Sequence, residues 1–219
     1  MQITIALAKG RLADFAIELL EDCGLDLTEL KENSRKLVFF DRTKKFRFLM
    51  VKPSDVPVYV DSGIADMGIV GKDTLLEAGL PLYEMLDLNF AKCKLCVCGY
   101  AQDRKKPITS GLKRVATKYM RVAKMYYASK GEDIELIKLN GSIELAPILG
   151  LSDVIVDIVE SGRTLRENGL DVLEDVMDIS ARLAVNKVSL KTKAVQIRPL
   201  IDKMKQVLAQ REEQKKDVK

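Results

Sequence analysis

The sequence predicts an α/β protein of two lobes, each with a largely parallel sheet covered by helices. Short apolar runs alternate with amphipathic stretches along the chain, which is the order typical of parallel sheets crossed by helices. The 219 residues are enough for two small domains, each with its own core. Two separate stretches also resemble one another, which favours an α/β unit that occurs twice.

The first part of the chain supplies most of one lobe. Alternating or continuous apolar runs predict strands, at 3–8, 37–41, 46–52 and 65–71, with extended segments at 82–88 and 92–100. A longer apolar period predicts helices, at 12–24, 53–63 and 72–79. We expect Ser54 to be the N-cap of the second helix. Its Pro57 lies in the early turns, where a missing N–H is least costly.

The second part of the chain repeats this alternation. Strands are predicted at 114–118, 134–139 and 153–159, and helices at 119–131, 142–150 and 162–169. Residues 170–180 and 181–190 are predicted to be extended. A helix from about residue 191 is expected to end the fold before a polar tail, with Pro199 kinking or dividing it.

The internal resemblance joins GIADMGIVGKDTLLEAGL (63–80) to GLSDVIVDIVESGRTLRENGL (150–170). The second copy is three residues longer, and the extra length falls at its strand-to-helix turn. Duplication would give lobe I at 1–89 plus 181–219 and lobe II at 90–180, whereas chance similarity between two βα units is the alternative. We expect the matched Asp66 and Asp153 to be structural turn or cap residues.

Composition excludes several classes of function. Ten Lys/Arg and four Asp/Glu lie in 187–219, so this segment holds +6 of charge while the rest of the chain holds −2 of the total of +4. Such a distribution favours a solvated helix over a nucleic-acid surface. No signal peptide or membrane-spanning run is visible, so we expect a cytoplasmic protein. Histidine is absent, which removes Ser-His and Cys-His nucleophiles. Four cysteines suit small core residues in a reducing compartment.

The stretch DVIVDIVESGRTL (153–165) is the strongest candidate for a binding site. A strand that passes at once into a helix exposes backbone N–H groups that bind anions. Gly162 would let a phosphate approach the backbone, and the hydroxyls of Ser161 and Thr164 and the charge of Arg163 would add to the site.

Carboxylates flank this turn. Asp157 and Glu160 are placed to accept hydrogen bonds from sugar hydroxyls or to bind a metal ion. A ligand with both phosphate and hydroxyl groups, such as a ribose phosphate, fits this combination. The alternative is a plain strand-to-helix turn with a capped helix.

The longer stretch ELAPILGLSDVIVDIVESGRTL (144–165) resembles the signature of the ATP phosphoribosyltransferase family. The stretches ALAKGRL (6–12), VKPSDVPVYVDSGIADMGIVGKD (51–73) and KLNGSIELAP (138–147) support it by their content and their order. The resemblance extends to about residue 200, and the chain is similar in length to the short form of the family.

This resemblance implies two lobes of the type II periplasmic-binding-protein kind, with the active site in the cleft between them. It implies ATP and 5-phosphoribosyl 1-diphosphate as substrates and Mg²⁺ as cofactor. It also implies a self-dimer that joins a regulatory subunit resembling histidyl-tRNA synthetase in a hetero-octamer.

By position, the resemblance assigns donor-binding roles to Glu144, Asp157, Glu160, Ser161, Gly162, Arg163, Thr164 and Leu165. It assigns ATP-binding roles to Lys9, Gly10, Arg11, Lys52, Gly71, Lys72 and Asp73. Electrostatic catalysis would come from Lys9, Arg11 and Asp157. Mg²⁺ would be held through the substrate phosphates, with Asp157 or Glu144 as a further ligand.

The chain departs from the family pattern at three positions. Ala8 stands where Pro is usual, Lys52 where Arg is usual and Val70 where Thr is common. Lys52 bears on ATP binding because lysine cannot make the two parallel hydrogen bonds of arginine.

Two other classes of function remain as alternatives. A nucleotide-salvage phosphoribosyltransferase usually has two adjacent acids in its donor strand, and here Asp157 is followed by Ile158. A two-lobe small-molecule-binding protein would bind its ligand without catalysis.

Overall fold

A computed structural model describes residues 1–31, 35–104 and 111–217. The chain forms two compact units. Unit 1 comprises Met1–Ala91 and Ser180–Lys219, and unit 2 comprises Lys92–Ile179. These limits lie within two residues of the lobes expected from the sequence.

The strands, in chain order, are β1 (Ile3–Ala8), β2 (Val38–Phe40), β3 (Phe46–Val51), β4 (Met67–Gly71), β5 (Tyr83–Asp87), β6 (Cys93–Gly99), β7 (Lys113–Thr117), β8 (Ile134–Lys138), β9 (Val154–Val159), β10 (Asp171–Ile179) and β11 (Ala181–Val185). The helices are α1 (Arg11–Asp22), α2 (Thr28–Lys31), α3 (Val56–Asp61), α4 (Lys72–Ala78), α5 (Met120–Ser129), α6 (Leu145–Ile148), α7 (Arg163–Glu167), α8 (Lys187–Thr192) and α9 (Ala194–Asp217). Short 3₁₀ turns occur at Pro53–Asp55 and Ala101–Asp103.

Each unit contains one sheet with a parallel centre. In unit 1 the strand order is β2-β3-β1-β4-β11-β5, and β1 pairs in parallel with β3 and β4. In unit 2 the order is β10-β6-β9-β7-β8, and β7 pairs in parallel with β8 and β9. The remaining pairs are antiparallel. The sheets are therefore mixed, and the expectation of largely parallel sheets was wrong. The short turn at 41–45 joins β2 to β3 and leaves room only for antiparallel pairing. The other antiparallel pairs all involve β5, β6, β10 or β11, the strands on either side of the two unit boundaries.

The core of unit 1 lies between its sheet and the two longest helices. Every residue of β1 is buried, as expected for a central strand covered on both faces. Helix α1 buries Ala13, Ala16, Ile17 and Leu20, which lie three to four residues apart on one helical stripe. Helix α9 adds its own buried residues, Ile197, Leu200, Ile201, Met204 and Val207.

The segments after β3 and after β11 correct two local predictions. Ser54 is not an N-cap: it lies inside the turn that Pro53 begins, and its hydroxyl is bonded to the Asp55 carboxylate (3.0 Å). The extended segment predicted at 181–190 ends at Val185. Asn186 starts α8 there, because its side chain accepts hydrogen bonds from the Val188 and Ser189 amides (2.9 Å each).

Helix boundaries differ most near the C-terminus and in the second copy of the repeat. Helix α9 continues through Pro199 to Asp217, so the expected break and polar tail are absent from the described residues. The helices predicted at 142–150 and 162–169 shorten to the single turns α6 and α7, and α2 was not predicted. Within the part of the chain that the structure describes, no helix combines the length and hydropathy that membrane crossing requires.

Asp66 and Asp153 hold their units together in the same way. Asp66 accepts from the Thr4 amide (2.8 Å) and returns a bond from its own amide to the Thr4 carbonyl (2.8 Å). Asp153 makes the same pair of bonds with Arg114 (2.8 and 2.9 Å). Each aspartate thus fixes the strand that follows it, β4 or β9, beside the central strand β1 or β7. This shared arrangement supports an internal repeat and the predicted structural role of both residues.

Each of these carboxylates also pairs with a cation. Lys193 Nζ lies 2.9 Å from Asp66 Oδ2, and Arg114 Nη2 lies 2.7 Å from Asp153 Oδ1. Partial burial of Asp153 favours its neutral form, but the hydrogen bonds from Arg114 outweigh this and hold the pKa of Asp153 below its ordinary value. Its contribution to stability is therefore present at neutral pH and is lost as the pH falls through the folded-state pKa.

We expect Asp66→Asn to lower the free energy of unfolding by about 2–4 kcal/mol, because it removes the charge from a carboxylate that is almost fully buried and paired with Lys193. Urea denaturation followed by circular dichroism measures the change. The control is Asp202→Asn, which breaks an exposed pair with Lys205 and should cost less than about 0.5 kcal/mol. Equal losses for the two variants would contradict the structural role of Asp66.

Candidate functional site

Unit 2 contains a pocket of about 270 Å³ where β9 passes into α7. Parallel strands in α/β sheets present their ligand sites at their carboxyl ends, and this pocket lies at such an end. Its lining includes every residue assigned above to the donor: Glu144, Asp157, Glu160, Ser161, Gly162, Arg163, Thr164 and Leu165. Ile155, Ile158 and Val159 complete it.

The turn at 161–165 combines a left-handed glycine with backbone amides that have no acceptor within the helix. Gly162 has a φ of 67°, a left-handed conformation that favours glycine, and it precedes the first residue of α7. The amides of Thr164 and Leu165 fall in the first helical turn, where no intrahelical acceptor exists. Leu165 is buried and anchors the turn in the core of unit 2. Because α7 has only five residues, these amides and the nearby hydroxyls matter more for anion binding than a helix dipole.

Three carboxylates line the same pocket, from Glu144, Asp157 and Glu160. Asp157 Oδ1 accepts a hydrogen bond from the Ile158 amide (2.8 Å), which fixes its orientation. Among the described residues no group of three or more His, Cys, Asp or Glu side chains is placed to hold a metal ion. A cation in this pocket would therefore need oxygen ligands from a bound molecule as well as from the protein.

Two arginines lie near the turn, and they differ in where their side chains lie. Arg163, predicted to supply charge, lines the pocket, but its side chain is 79% exposed and pairs with Glu167 (2.7 Å). Arg166 was not predicted. Its Nη1 lies 3.0 Å from the point that a Cβ on Gly162 would occupy, so its guanidinium is folded against the turn. The spacing of four residues on a helix is the signal that could have identified it.

In unit 1 the other predicted residues follow three neighbouring parallel strands. Lys9, Gly10 and Arg11 follow β1, Lys52 follows β3, and Lys72 and Asp73 follow β4. The Lys9 amide donates to the Val51 carbonyl (2.9 Å), which holds the first two of these loops side by side. Gly10 has a φ of 98°, which side-chain-bearing residues rarely adopt. The side chains of Lys9, Arg11 and Lys52 are exposed at this edge of the sheet.

Gly71 and Asp73 depend on one another. The Asp73 carboxylate is buried, and a Cβ on residue 71 would overlap its Oδ1 atom. Glycine at 71 therefore makes room for Asp73. This is a packing requirement within unit 1, and it accounts for Gly71 without a ligand.

Lys72 is part of an ion-pair network that sequence reasoning missed. Its Nζ lies 2.6 Å from Glu84 Oε2, and the other oxygen of Glu84 lies 3.1 Å from Arg182 Nη1. Arg182 also pairs with Asp87 (2.9 Å). These partners come from β5 and β11, far from Lys72 in sequence, so no local spacing could have shown them. Lys72 is thereby held in place, and part of its charge is neutralised before any ligand binds.

Two cysteines of unit 2, Cys96 and Cys98, are poor nucleophiles at neutral pH. Burial raises the pKa of Cys98 to about 12, and the nearby carboxylates of Asp157 and Glu144 act in the same direction. Burial and Asp175 raise the pKa of Cys96 to about 11. Both thiols lie in the apolar cluster that contains Leu165, as expected for core residues.

Comparison with known proteins identifies close relatives. A family model described as ATP phosphoribosyltransferase matches residues 52–206. A protein of that name from Ruminiclostridium cellulolyticum is 52% identical over 210 residues, covering 95% of this chain and 98% of its own. One from Lachnospira eligens is 55% identical over 208 residues, covering 94% of this chain and 96% of its own.

Solved structures show the same relationship. The chain is similar to the ATP phosphoribosyl transferase (HisG:HisZ) complex from Thermotoga maritima, with a TM-score of 0.81 and 35% identity over 95% of this chain and 100% of that one. The substrate binding protein of an amino acid ABC transporter has a TM-score of 0.55 at 15% identity over 98% of this chain and 94% of that one. The second similarity concerns the fold alone, and it agrees with the predicted two-lobe class.

We expect Cys96 and Cys98 to react slowly with iodoacetamide at pH 8, because the raised pKa values and burial leave little accessible thiolate. Mass spectrometry of the labelled peptides over time measures the rate. Labelling in urea provides the reference for full reactivity, and both sites should be modified rapidly there. Rapid labelling of Cys98 in the folded protein would show that its thiol is activated.

Proposed function

The chain belongs to the ATP phosphoribosyltransferase family, and on this premise we propose that the unit-2 pocket binds the phosphoribosyl donor. The enzyme of this family joins N1 of the ATP adenine to C1 of 5-phosphoribosyl 1-diphosphate and releases pyrophosphate. This is the first step of histidine biosynthesis. The single observation that carries the donor assignment is the convergence of all eight predicted donor residues on one pocket.

We assign the 5-phosphate of the donor to the turn at 161–165. The amides of Thr164 and Leu165 and the hydroxyls of Ser161 and Thr164 provide donors to phosphate oxygens. Asp157 and Glu144 would accept hydrogen bonds from the ribose hydroxyls. A phosphate at one end and acceptors beside it match a phosphorylated sugar better than a simple anion.

The chemistry requires no histidine. The adenine N1 already carries the lone pair that forms the new bond to C1, and the C1–O bond breaks as pyrophosphate leaves with its electron pair. A sugar carbon that develops oxocarbenium character needs no covalent enzyme nucleophile. The protein must align the reactants and stabilise the leaving charge, and alignment alone can contribute about 7–11 kcal/mol in favourable cases.

We assign ATP to the carboxyl edge of the β3-β1-β4 strands in unit 1. Lys9, Arg11 and Lys52 present exposed cationic side chains there, and Gly10 leaves the backbone open to a phosphate. Lys72 has a smaller role in this proposal, since Glu84 already engages its charge. Lys9 and Arg11 are the candidates to neutralise the departing pyrophosphate.

Magnesium fits the donor pocket as a substrate-held ion. Its preferred ligands are hard oxygens, and it is usually bound by one or two carboxylates together with substrate phosphates. The pocket offers the carboxylates of Glu144 and Asp157 and, among the described residues, no complete protein site. When bound, Mg²⁺ would neutralise negative charge on the diphosphate. We further propose that the protein acts in the cytoplasm.

The solved complex similar to this chain pairs HisG with HisZ. We propose that this chain likewise works with a regulatory subunit, which would resemble histidyl-tRNA synthetase. The reported relatives have nearly the length of this chain, as expected for the short form. Size-exclusion chromatography with light scattering of the chain alone and with such a subunit tests this assembly.

The alternative of a binding protein without catalysis has a direct test. Purified chain, mixed with the regulatory subunit, ATP, Mg²⁺ and donor, should release pyrophosphate and form the N1-substituted product. Saturable ligand binding without product formation in that mixture would favour the alternative.

We expect Ser161→Ala combined with Thr164→Ala to weaken donor binding by at least about 10-fold, because it removes two hydroxyl donors to a charged phosphate. Calorimetric titration of the chain with the magnesium complex of the donor measures this without the regulatory subunit. Ser129→Ala is the control, since its hydroxyl is bonded within α5 of the same unit (2.7 Å to the Tyr126 carbonyl). Unchanged affinity in the double variant would leave the 161–165 turn as a capped turn only.

Gly162→Ala should weaken donor binding while the chain remains folded. A side chain at a φ of 67° is strained by roughly 1–2 kcal/mol, and the new Cβ would press on Arg166. Both effects shift the backbone that faces the phosphate. The same titration, with thermal unfolding to confirm the fold, measures the change. Wild-type donor affinity in this variant would refute the assignment of the turn.

A further inference from the structure

The turn between β8 and α6, with the sequence Asn-Gly-Ser at 140–142, lies beside the donor pocket and has no role in the site described above. Glu144, two residues further on, lines the pocket. Ile143 is buried in the apolar cluster that also holds Leu165. The 140–142 turn and the phosphate-binding turn therefore rest on one core.

Gly141 is a glycine that the folded chain itself does not require. Of the thirteen glycines, all within the described residues, nine have a positive φ. At Gly68, Gly71 and Gly99 a Cβ would come within 3.1 Å of another side chain. Gly141 has neither property: its φ is not positive, and no described heavy atom beyond its chain neighbours lies within 4 Å of the added Cβ. A glycine of this kind is expected where another molecule approaches the backbone closely.

Ser142, in contrast, carries a side chain but has a backbone conformation that favours glycine. Its φ is 46°, a conformation that costs energy for any residue except glycine. Glycine at 142 would relieve this strain, so the side chain there supplies something that glycine lacks. Strained residues of this kind concentrate at ligand-binding sites, and the group that serine adds is a hydroxyl.

Strand order sets the distance between the two turns. The unit-2 sheet runs β9-β7-β8, so one strand separates the carboxyl ends of β9 and β8. At a spacing of roughly 4.8 Å per strand, the two turns are about 10 Å apart. A pentose that carries phosphate at one end and diphosphate at the other can extend over this distance.

We propose that Gly141 and Ser142 bind the diphosphate end of the donor whose 5-phosphate is held by the 161–165 turn. The Ser142 hydroxyl donates a hydrogen bond to a diphosphate oxygen, and the bare backbone at Gly141 lies against the same group. This inference rests on the proposed donor site and assigns residues to the second end of the donor, its diphosphate.

Two variants test the assignment by titration with two probes, the magnesium complex of 5-phosphoribosyl 1-diphosphate and ribose 5-phosphate, which lacks the diphosphate. Ser142→Gly should unfold at or above the wild-type temperature, because its backbone strain is relieved. It should nevertheless bind the diphosphate-bearing probe about 10-fold more weakly, with unchanged affinity for ribose 5-phosphate. Gly141→Ala should keep wild-type stability and show the same selective loss, because its Cβ enters the space of the ligand.

Lys44→Gly is the matched control, since Lys44 also has a positive φ (56°) but lies in the turn between β2 and β3 of unit 1. It should gain stability and bind both probes as the wild type does. Wild-type affinity for the diphosphate-bearing probe in both test variants would overturn this inference. Equal losses for the two probes would also overturn it, because the contact would then not involve the diphosphate.

The titrations also distinguish failure of this inference from failure of the proposed donor site. A wild-type chain that fails to bind the diphosphate-bearing probe, or whose binding survives the loss of Ser161 and Thr164 hydroxyls, would refute the donor site itself. Binding that depends on Ser161 and Thr164 but not on residues 141 and 142 would retain the donor site and remove only its second end.

Discussion

The parallel pairing of three adjacent strands in each unit is the constraint on which both candidate sites depend. In unit 1 the trio is β3-β1-β4, and in unit 2 it is β8-β7-β9. Parallel strands end at one edge, so loops distant in sequence are brought together there. The register of each trio is fixed by one aspartate, Asp66 or Asp153, bonded to the backbone of the central strand. A loop can carry polar and charged groups at such an edge because the strands beneath it are held in place by the hydrogen bonds of the sheet.

Local patterns were sufficient where an element is defined by its own residues. The short apolar runs of β1 and β9 predicted both strands, because such a run bounded by turn residues is typical of a strand inside a sheet. The patterns failed where a partner decides the structure. The direction of β11 depends on β4 and β5, which its own residues do not specify. Asn186 was a readable signal that was overlooked, since an asparagine that accepts two amides begins α8.

The candidate sites also differ in how far local sequence could predict them. The donor pocket could be predicted because its residues lie mainly in one continuous stretch, 157–165, and this stretch resembles a family signature. The surroundings of Lys72 could not, because its partner Glu84 lies on β5 and is in turn paired with Arg182 on β11, and these strands meet only in the folded sheet. Such partners decide how much charge a lysine can offer to a ligand. A sequence motif identifies the lysine but not the acidic residues that compete with a ligand for its charge.

The two matched stretches, 63–80 and 150–170, share a strand-to-helix scaffold but place different groups at the edge of the sheet. Thr74 and Leu75 of the first copy match Thr164 and Leu165 of the second, and both leucines pack into their cores. Between strand and helix the copies diverge. The first places Lys72 and a buried Asp73 there, already paired or packed within the protein. The second, with its three extra residues, exposes hydroxyls, amides and carboxylates around Gly162.

In the proposed donor site, amides and hydroxyls donate to the phosphate and carboxylates accept from the sugar hydroxyls. In a chain without histidine, no imidazole can remove a proton from the attacking atom, and a nucleophile that already carries a free electron pair does not require this. Transfer of a phosphoribosyl group to a ring nitrogen meets that condition, because the catalytic demand falls on alignment and charge neutralisation. In the proposed reaction, the loops at these parallel edges would align the reactants, and lysines and arginines that the two copies do not share would supply the charge.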